Sequence, residues 1–243
     1  MSSKRLLRSL RDRALSIDLL LSWCSFRPAG AMVLVFTLGF LAFASPAEAN
    51  VAFGSAVRVS SGRFLGSGCL GIYTDPQGRS WELLLTCDHV VSRTGRMMAD
   101  GREFVAVVRD ERRDICVALP VGRPVWHAEQ LRFGLPTVGD DVESVGYPGE
   151  ADATVIRMSI THTSMGNAWF DHQPMQGRSG SAVWSQGRIV GLVAFRVLHP
   201  DGKLDLGGGP DGAELQVMVN RACMVANEHW SSTTGSSLSP IRN

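Results

Sequence analysis

The chain has 243 residues, 44% of them hydrophobic and 19% charged, with a net charge of +1. That length can bury a real core, and the balance excludes a disordered chain and a multi-pass membrane protein. Residues 1–49 carry six basic and three acidic side chains, leaving 18 basic and 20 acidic over the rest, so the body lacks the positive surplus of a nucleic-acid binder and nucleic acid is excluded as a partner.

The first element is an export signal. Ala29 to Ala44 reads AGAMVLVFTLGFLAFA, an uncharged and mostly apolar run behind a basic stretch. Ala47 and Ala49 follow, the small residues of a signal-peptidase site, so cleavage is expected after Ala49. The alternative is an uncleaved anchor, which would bring the chain into contact with a membrane; 16 residues is short for a span, though Ser45 to Ala47 extend it. Residues 1–49 are thus signal or anchor, and the product is secreted or periplasmic, or else tethered.

Beyond the signal, short apolar or alternating runs are divided by glycine-rich turns. Strands are predicted at Ser55–Ser60, Gly68–Tyr73, Trp81–Thr86, Glu103–Arg109, Ile115–Leu119, Asp141–Tyr147, Thr154–Ile160, Ser181–Ser185 and Ile189–Phe195. Many short strands at this spacing mark an all-β sandwich or pair of barrels. One short helix is predicted at Asn220–His229 with Asn220 as N-cap, and the Ser/Thr/Gly/Pro-rich residues 231–243 read as a flexible tail. Cys69, Cys87, Cys116 and Cys223 permit two disulfides in three connectivities without demanding them; Cys87 and Cys116 lie in apolar runs where a thiol serves as a small hydrophobe. No clustered Cys/His spacing suggests a metal site.

Three stretches carry chemistry. In Leu83-Leu84-Leu85-Thr86-Cys87-Asp88-His89 an apolar strand delivers a histidine at its end. In Arg113-Asp114-Ile115-Cys116-Val117 an aspartate opens an apolar strand, so its carboxylate starts beside a dry core. In Gln176-Gly177-Arg178-Ser179-Gly180-Ser181 a serine sits among glycines just before a strand, where backbone N–H groups can converge on an oxyanion. Each alone is an ordinary packed histidine, turn aspartate or Gly/Ser loop. Together they supply what a serine nucleophile needs: a base to take its proton, and an acid to fix the base's tautomer. The order His, Asp, Ser in an all-β chain is neither that of subtilisins nor that of α/β-hydrolases, and Ser181 breaks the G-x-S-x-G pattern of the latter.

These motifs resemble those of the trypsin/chymotrypsin-like serine peptidases, in particular a bacterial branch that includes HtrA and glutamyl-endopeptidase-like enzymes. Gly66-Ser67-Gly68-Cys69-Leu70 and the segment from Val138 to Gly149, ending Gly146-Tyr147-Pro148-Gly149, extend the resemblance, as do Leu215–Val219 and Asn220, which resemble a closing strand and helix. It covers roughly Phe53 to Trp230, leaves no room for a PDZ domain, and sets a peptidase domain at residues 50–230. It implies two six-stranded antiparallel β-barrels with a short C-terminal helix, and a serine endopeptidase with catalytic His89, Asp114 and Ser179. It further implies an oxyanion hole from the N–H groups of Gly177 and Ser179, a polypeptide substrate, and no metal or organic cofactor.

The resemblance also places Gln173, Pro174, Val193 and Arg196 around the pocket for the residue before the scissile bond. No acid stands at its base, so cleavage after Lys or Arg is not expected; Arg196 attracts an acidic side chain if it points inward and does nothing if it points to solvent. Trypsins have an acidic residue where Arg178 stands, and many relatives have glycine where Ser181 stands. A permanent cation at 178 cannot pair with a new N-terminal ammonium, so no pro-peptide cut is expected to control the site. Two rivals remain: a non-catalytic binding or scaffold protein of the same fold, and an acyl hydrolase acting on esters.

Overall fold

The computed structural model describes residues 54–122, 129–198 and 205–232. The signal segment and the tail beyond Ser232 lie outside the described residues.

The first half is a closed barrel of six strands: β1 (Ala56–Ser61), β2 (Phe64–Thr74), β3 (Ser80–Thr86), β4 (Arg96–Ala99), β5 (Arg102–Asp110) and β6 (Ile115–Pro120), in the order β1-β2-β3-β6-β5-β4. Every residue of β3 and β6 is buried, which is why their sequences read as continuous apolar runs rather than alternating ones. The exception in β3, Glu82, is held by both Nη atoms of Arg102 at 2.5 and 3.1 Å, which satisfies its buried carboxylate.

The second half contains β7 (Asp141–Gly146), β8 (Thr154–Ser164), β9 (Asn167–Phe170), β10 (Ala182–Ser185), β11 (Arg188–Leu192), β12 (Phe195–Leu198) and β13 (Asp205–Pro210), ordered β11-β10-β7-β8-β9-β13-β12. The two edge strands, β11 and β12, are halves of one chain segment broken only at Val193–Ala194. β13 pairs with β12, bridges β11 through Gly191 and Asp211, and accepts from Ala194 N at Gly208 O, 2.9 Å. Counted once, the bent strand makes six and curls the sheet back on itself. The fold is therefore chymotrypsin-like, as expected.

The C-terminal helix differs from expectation. α1 spans Gly212–Ser232, 21 residues, so Leu215–Val219 is its first part and not a closing strand. Its N-cap is Asp211, whose Oδ1 accepts from Glu214 N at 3.0 Å, not Asn220. Asn220 lies inside the helix and accepts from Tyr73 Oη at 2.7 Å, pinning α1 to β2. The closing strand is β13, where glycines are required by crowding: a Cβ on Gly209 would lie 1.9 Å from Leu192 O.

Cys69, Cys87, Cys116 and Cys223 are all free and buried. Burial pushes the thiols of Cys69, Cys116 and Cys223 up to about 12, so they serve as small hydrophobes.

Candidate active site

Leaving β3, the chain makes a 3-10 turn at Asp88–Val90 that presents His89 to solvent while Asp88 and Val90 stay buried. Asp88 anchors the turn through a two-pronged pair with Arg109 of β5, at 2.5 and 3.2 Å. Asp114, immediately before β6, is half-buried with φ +56, and reaches back to the turn. Its Oδ1 accepts from the His89 backbone N–H at 2.9 Å, and its Oδ2 lies 2.6 Å from His89 Nδ1. β3 and β6 pair side by side, with Thr86 opposite Cys116, so two residues 25 apart in sequence meet at one barrel end.

This pair shifts both groups. The hydrogen bond to Asp114 raises the His89 pKa above its ordinary 6.5, burial opposing it in part. Burial pushes the Asp114 carboxyl up, but bonds from the His89 ring and main chain outweigh it, and its pKa falls below 3.8. Cys87 lies against the pair; its Sγ donates to Val193 O at 3.3 Å.

The Ser179 turn precedes β10. Ser179 O accepts from Ser67 N at 2.8 Å, and Gly180 N donates to Val193 O at 2.8 Å, the carbonyl that Cys87 also uses. Gly66 is wedged between the two turns: a Cβ there would lie 2.7 Å from the Val90 side chain and 3.0 Å from Ser179 O. Gly66 thus lies against both the turn that carries His89 and the turn that carries Ser179. Among the described residues the His89–Asp114 pair is bonded, whereas the Ser179 hydroxyl makes no hydrogen bond to the imidazole.

The backbone of the serine turn is fixed. Gly177 has φ +92, and a Cβ on it would lie 2.4 Å from Gly149 N, so only glycine fits. Gly149 N donates to Gln176 O at 2.9 Å, and because a trans peptide sets C=O and N–H on opposite sides, the Gly177 N–H faces away from residue 149. The N–H groups of Arg178, Gly180 and Ser181 are spent on Met175 O, Val193 O and Arg178 O, while those of Gly177 and Ser179 make no backbone hydrogen bond among the described residues.

Pro174, Val193 and Arg196 line a cavity of about 380 Å³ together with Met175, Gln176, Ser179, Ala194 and Phe195. Gln173 is half-buried one position ahead of it and does not line it. Arg196 pairs across the sheet with Gly207, and paired residues share a face. A Cβ on Gly207 would meet His172 O at 2.6 Å and Pro174 Cδ at 2.8 Å, so Arg196 leaves β12 on the face that carries the 172–174 segment, where it lines the cavity but stays exposed to solvent. Among the described residues no acidic side chain lines this cavity.

Three contributors were missed in the sequence. Ser67 is a buried hub: its Oγ donates to Gly177 O at 2.8 Å and accepts from Tyr147 N at 2.9 Å. Asp88 holds the histidine turn. Arg178, expected only to refuse an ammonium, is completely buried beneath the serine turn. A Gly-Ser-Gly run gives no cue to the first, and the last two are charges whose partners lie 21 to 34 residues away.

The same architecture recurs in solved structures. The serine endoprotease from Yersinia pestis is 21% identical, with a TM-score of 0.60, covering 73% of this chain and 65% of that one. The present chain therefore spans just under two thirds of that protein. The Rv3671c protease from M. tuberculosis in its active form is 19% identical, with a TM-score of 0.56, covering 72% of this chain and 82% of that one. At such identities the likeness is one of fold. A comparison with curated proteins gives no match. Residues 66–192, more than half of the chain, match the family model of the trypsin-like peptidase domain, and the chain belongs to that family.

Proposed function

We propose that the chain is a serine endopeptidase in which His89, Asp114 and Ser179 form the catalytic triad. The observation that supports this reading is the bonded His89–Asp114 pair; beside it stands a serine turn whose Gly177 and Ser179 N–H groups make no backbone hydrogen bond among the described residues. Asp114 accepts a hydrogen bond from Nδ1–H, which keeps the ring proton there and leaves Nε2 as the lone-pair nitrogen. As Ser179 Oγ attacks a peptide carbonyl carbon, its proton passes to Nε2, and the charge on the carbonyl oxygen is received by the two N–H groups. The C–N bond then breaks, His89 returns the proton to the departing amine, and water hydrolyses the acyl-enzyme by the same steps. The residue before the scissile bond enters the cavity lined by Pro174, Val193 and Arg196, where a permanent cation at the solvent side, and no acid among the described residues, disfavour Lys and Arg.

The rival of a non-catalytic scaffold draws on one observation, the missing Ser179–His89 hydrogen bond. Such bonds are often long in unliganded sites and tighten only with substrate. We further read residues 1–49 as the signal that exports the enzyme, or as its anchor. The test is hydrolysis of casein and of a simple ester by the chain and by Ser179→Ala. Casein cleavage lost in the variant supports the endopeptidase. Ester cleavage alone would move the chain to the acyl hydrolases, and no turnover of either would favour the scaffold.

A further inference from the structure

We infer that Arg178 is a positioning residue for the serine turn, a buried guanidinium that holds the Gly177 and Ser179 N–H groups in place from below. Its functional part rests on the peptidase reading above. Arg178 is 0% exposed, the largest side chain in the described core to be fully buried. Its Nη2 donates to Ser144 O at 2.8 Å and Thr154 O at 2.9 Å, and its Nη1 to Gly146 O at 3.5 Å and to Thr154 Oγ1. Ser144 and Gly146 belong to β7 and Thr154 to β8, so one planar fork grips two paired strands at once.

Among the described residues no carboxylate pairs with this cation, and its Nε has no acceptor. Burial alone draws its pKa down to about 10, so it remains charged at neutral pH. An unpaired buried charge is costly, and an apolar side chain of similar volume would fill the space without that cost. What the apolar side chain could not supply is the geometry. Arg178 is the residue between the two unspent N–H donors. The main-chain ties of the turn are Gln176 O to Gly149 N, Gly177 O to Ser67 Oγ, Ser179 O to Ser67 N and Gly180 N to Val193 O. The guanidinium is the tie that enters through the side chain, and it pulls residue 178 inward so that the peptides on either side present their N–H groups outward. In this arrangement the turn is ordered by strands β7 and β8 and needs no arriving chain terminus.

The test uses Arg178→Lys and Arg178→Met in the full chain, with two readouts. In amide exchange, peptides containing Gly177–Ser179 should exchange at least tenfold faster in Arg178→Met, with Arg178→Lys between it and the parent. In kinetics, Arg178→Met should lose about 100-fold in kcat, the scale of one lost oxyanion donor, with KM within threefold and partial recovery in Arg178→Lys. Unchanged exchange in a folded Arg178→Met overturns the inference whether or not the chain is a peptidase. So does an unchanged kcat in an active parent. A parent without activity but with faster exchange in the variant would sink the peptidase reading and leave the positioning role. If Arg178→Met does not fold, Thr154→Val removes one acceptor only; it should speed exchange of the same peptides, and no change there is the overturning result.

Discussion

Asp114→Asn is the most informative single change. Asp114 has φ +56, a conformation asparagine tolerates, so the backbone is not strained as it would be with alanine. The amide oxygen can keep the 2.9 Å bond from the His89 backbone N–H. The amide NH2 then falls where Oδ2 stood, 2.6 Å from Nδ1, and only an unprotonated Nδ1 can accept from it. The ring proton is thereby driven to Nε2, the nitrogen that must take the Ser179 proton. Two losses combine: the wrong tautomer and the missing counter-charge for the imidazolium. Together they should cost about four orders of magnitude in kcat, roughly 5 kcal/mol of barrier, with the fold intact. The assay is peptide turnover beside a thermal melt at constant pH. A folded variant within tenfold of the parent would refute the role assigned to Asp114.

Activity should rise with pH through a midpoint above 6.5, because Asp114 raises the His89 pKa and the base must be neutral; a flat profile from about pH 5 to 8 would contradict this. The stability contribution of the pair has two limits. For Asp114, depressed on folding, it is complete above 3.8 and fades as pH falls through the lowered value; for His89, raised on folding, it is complete below 6.5 and fades as pH rises through the raised value. Melts of the parent and Asp114→Asn should therefore differ most between these limits, and parallel curves from about pH 3 to 9 would contradict the linkage. A peptide-library profile should show Lys and Arg disfavoured before the scissile bond, and Arg196→Ala should relax that exclusion; cleavage mainly after Lys or Arg in the parent would overturn the pocket assignment. A Met-Gly-Ser extension ahead of Asn50 should leave activity within about twofold; a large loss restored by trimming would show that a free terminus matters.

Much of this was legible in the chain. The nine expected strands all appear, because β3, β6, β10 and β11 are nearly continuous buried runs, β1 alternates strictly, and turns bound them. Missed were β4, β9, β12 and β13. The first three have four residues each, too few for periodicity to emerge, and β13 reads Asp-Leu-Gly-Gly-Gly-Pro, whose glycines argue against a strand until their crowding is seen. The start of α1 misled for a different reason. The family resemblance sets Leu215–Val219 as a closing strand, yet Val217 is exposed, and the buried residues 215, 218, 219, 222, 223 and 226 follow a helical stripe. At the site, His89, Asp114 and Ser179 could be proposed because each stands in a local motif, and the structure brings the first two into hydrogen-bond contact. Arg178 and Ser67 could not, since their roles depend on carbonyls and N–H groups that only strand pairing brings near.

The central claim is that Ser179 is a nucleophile activated by His89. Its most direct test is labelling of the chain with a fluorophosphonate probe, followed by peptide mapping of the adduct. One adduct is expected, on Ser179, present in Ser181→Ala and lost in both Ser179→Ala and His89→Ala. No adduct on the folded parent, or an adduct on Ser181, would contradict it.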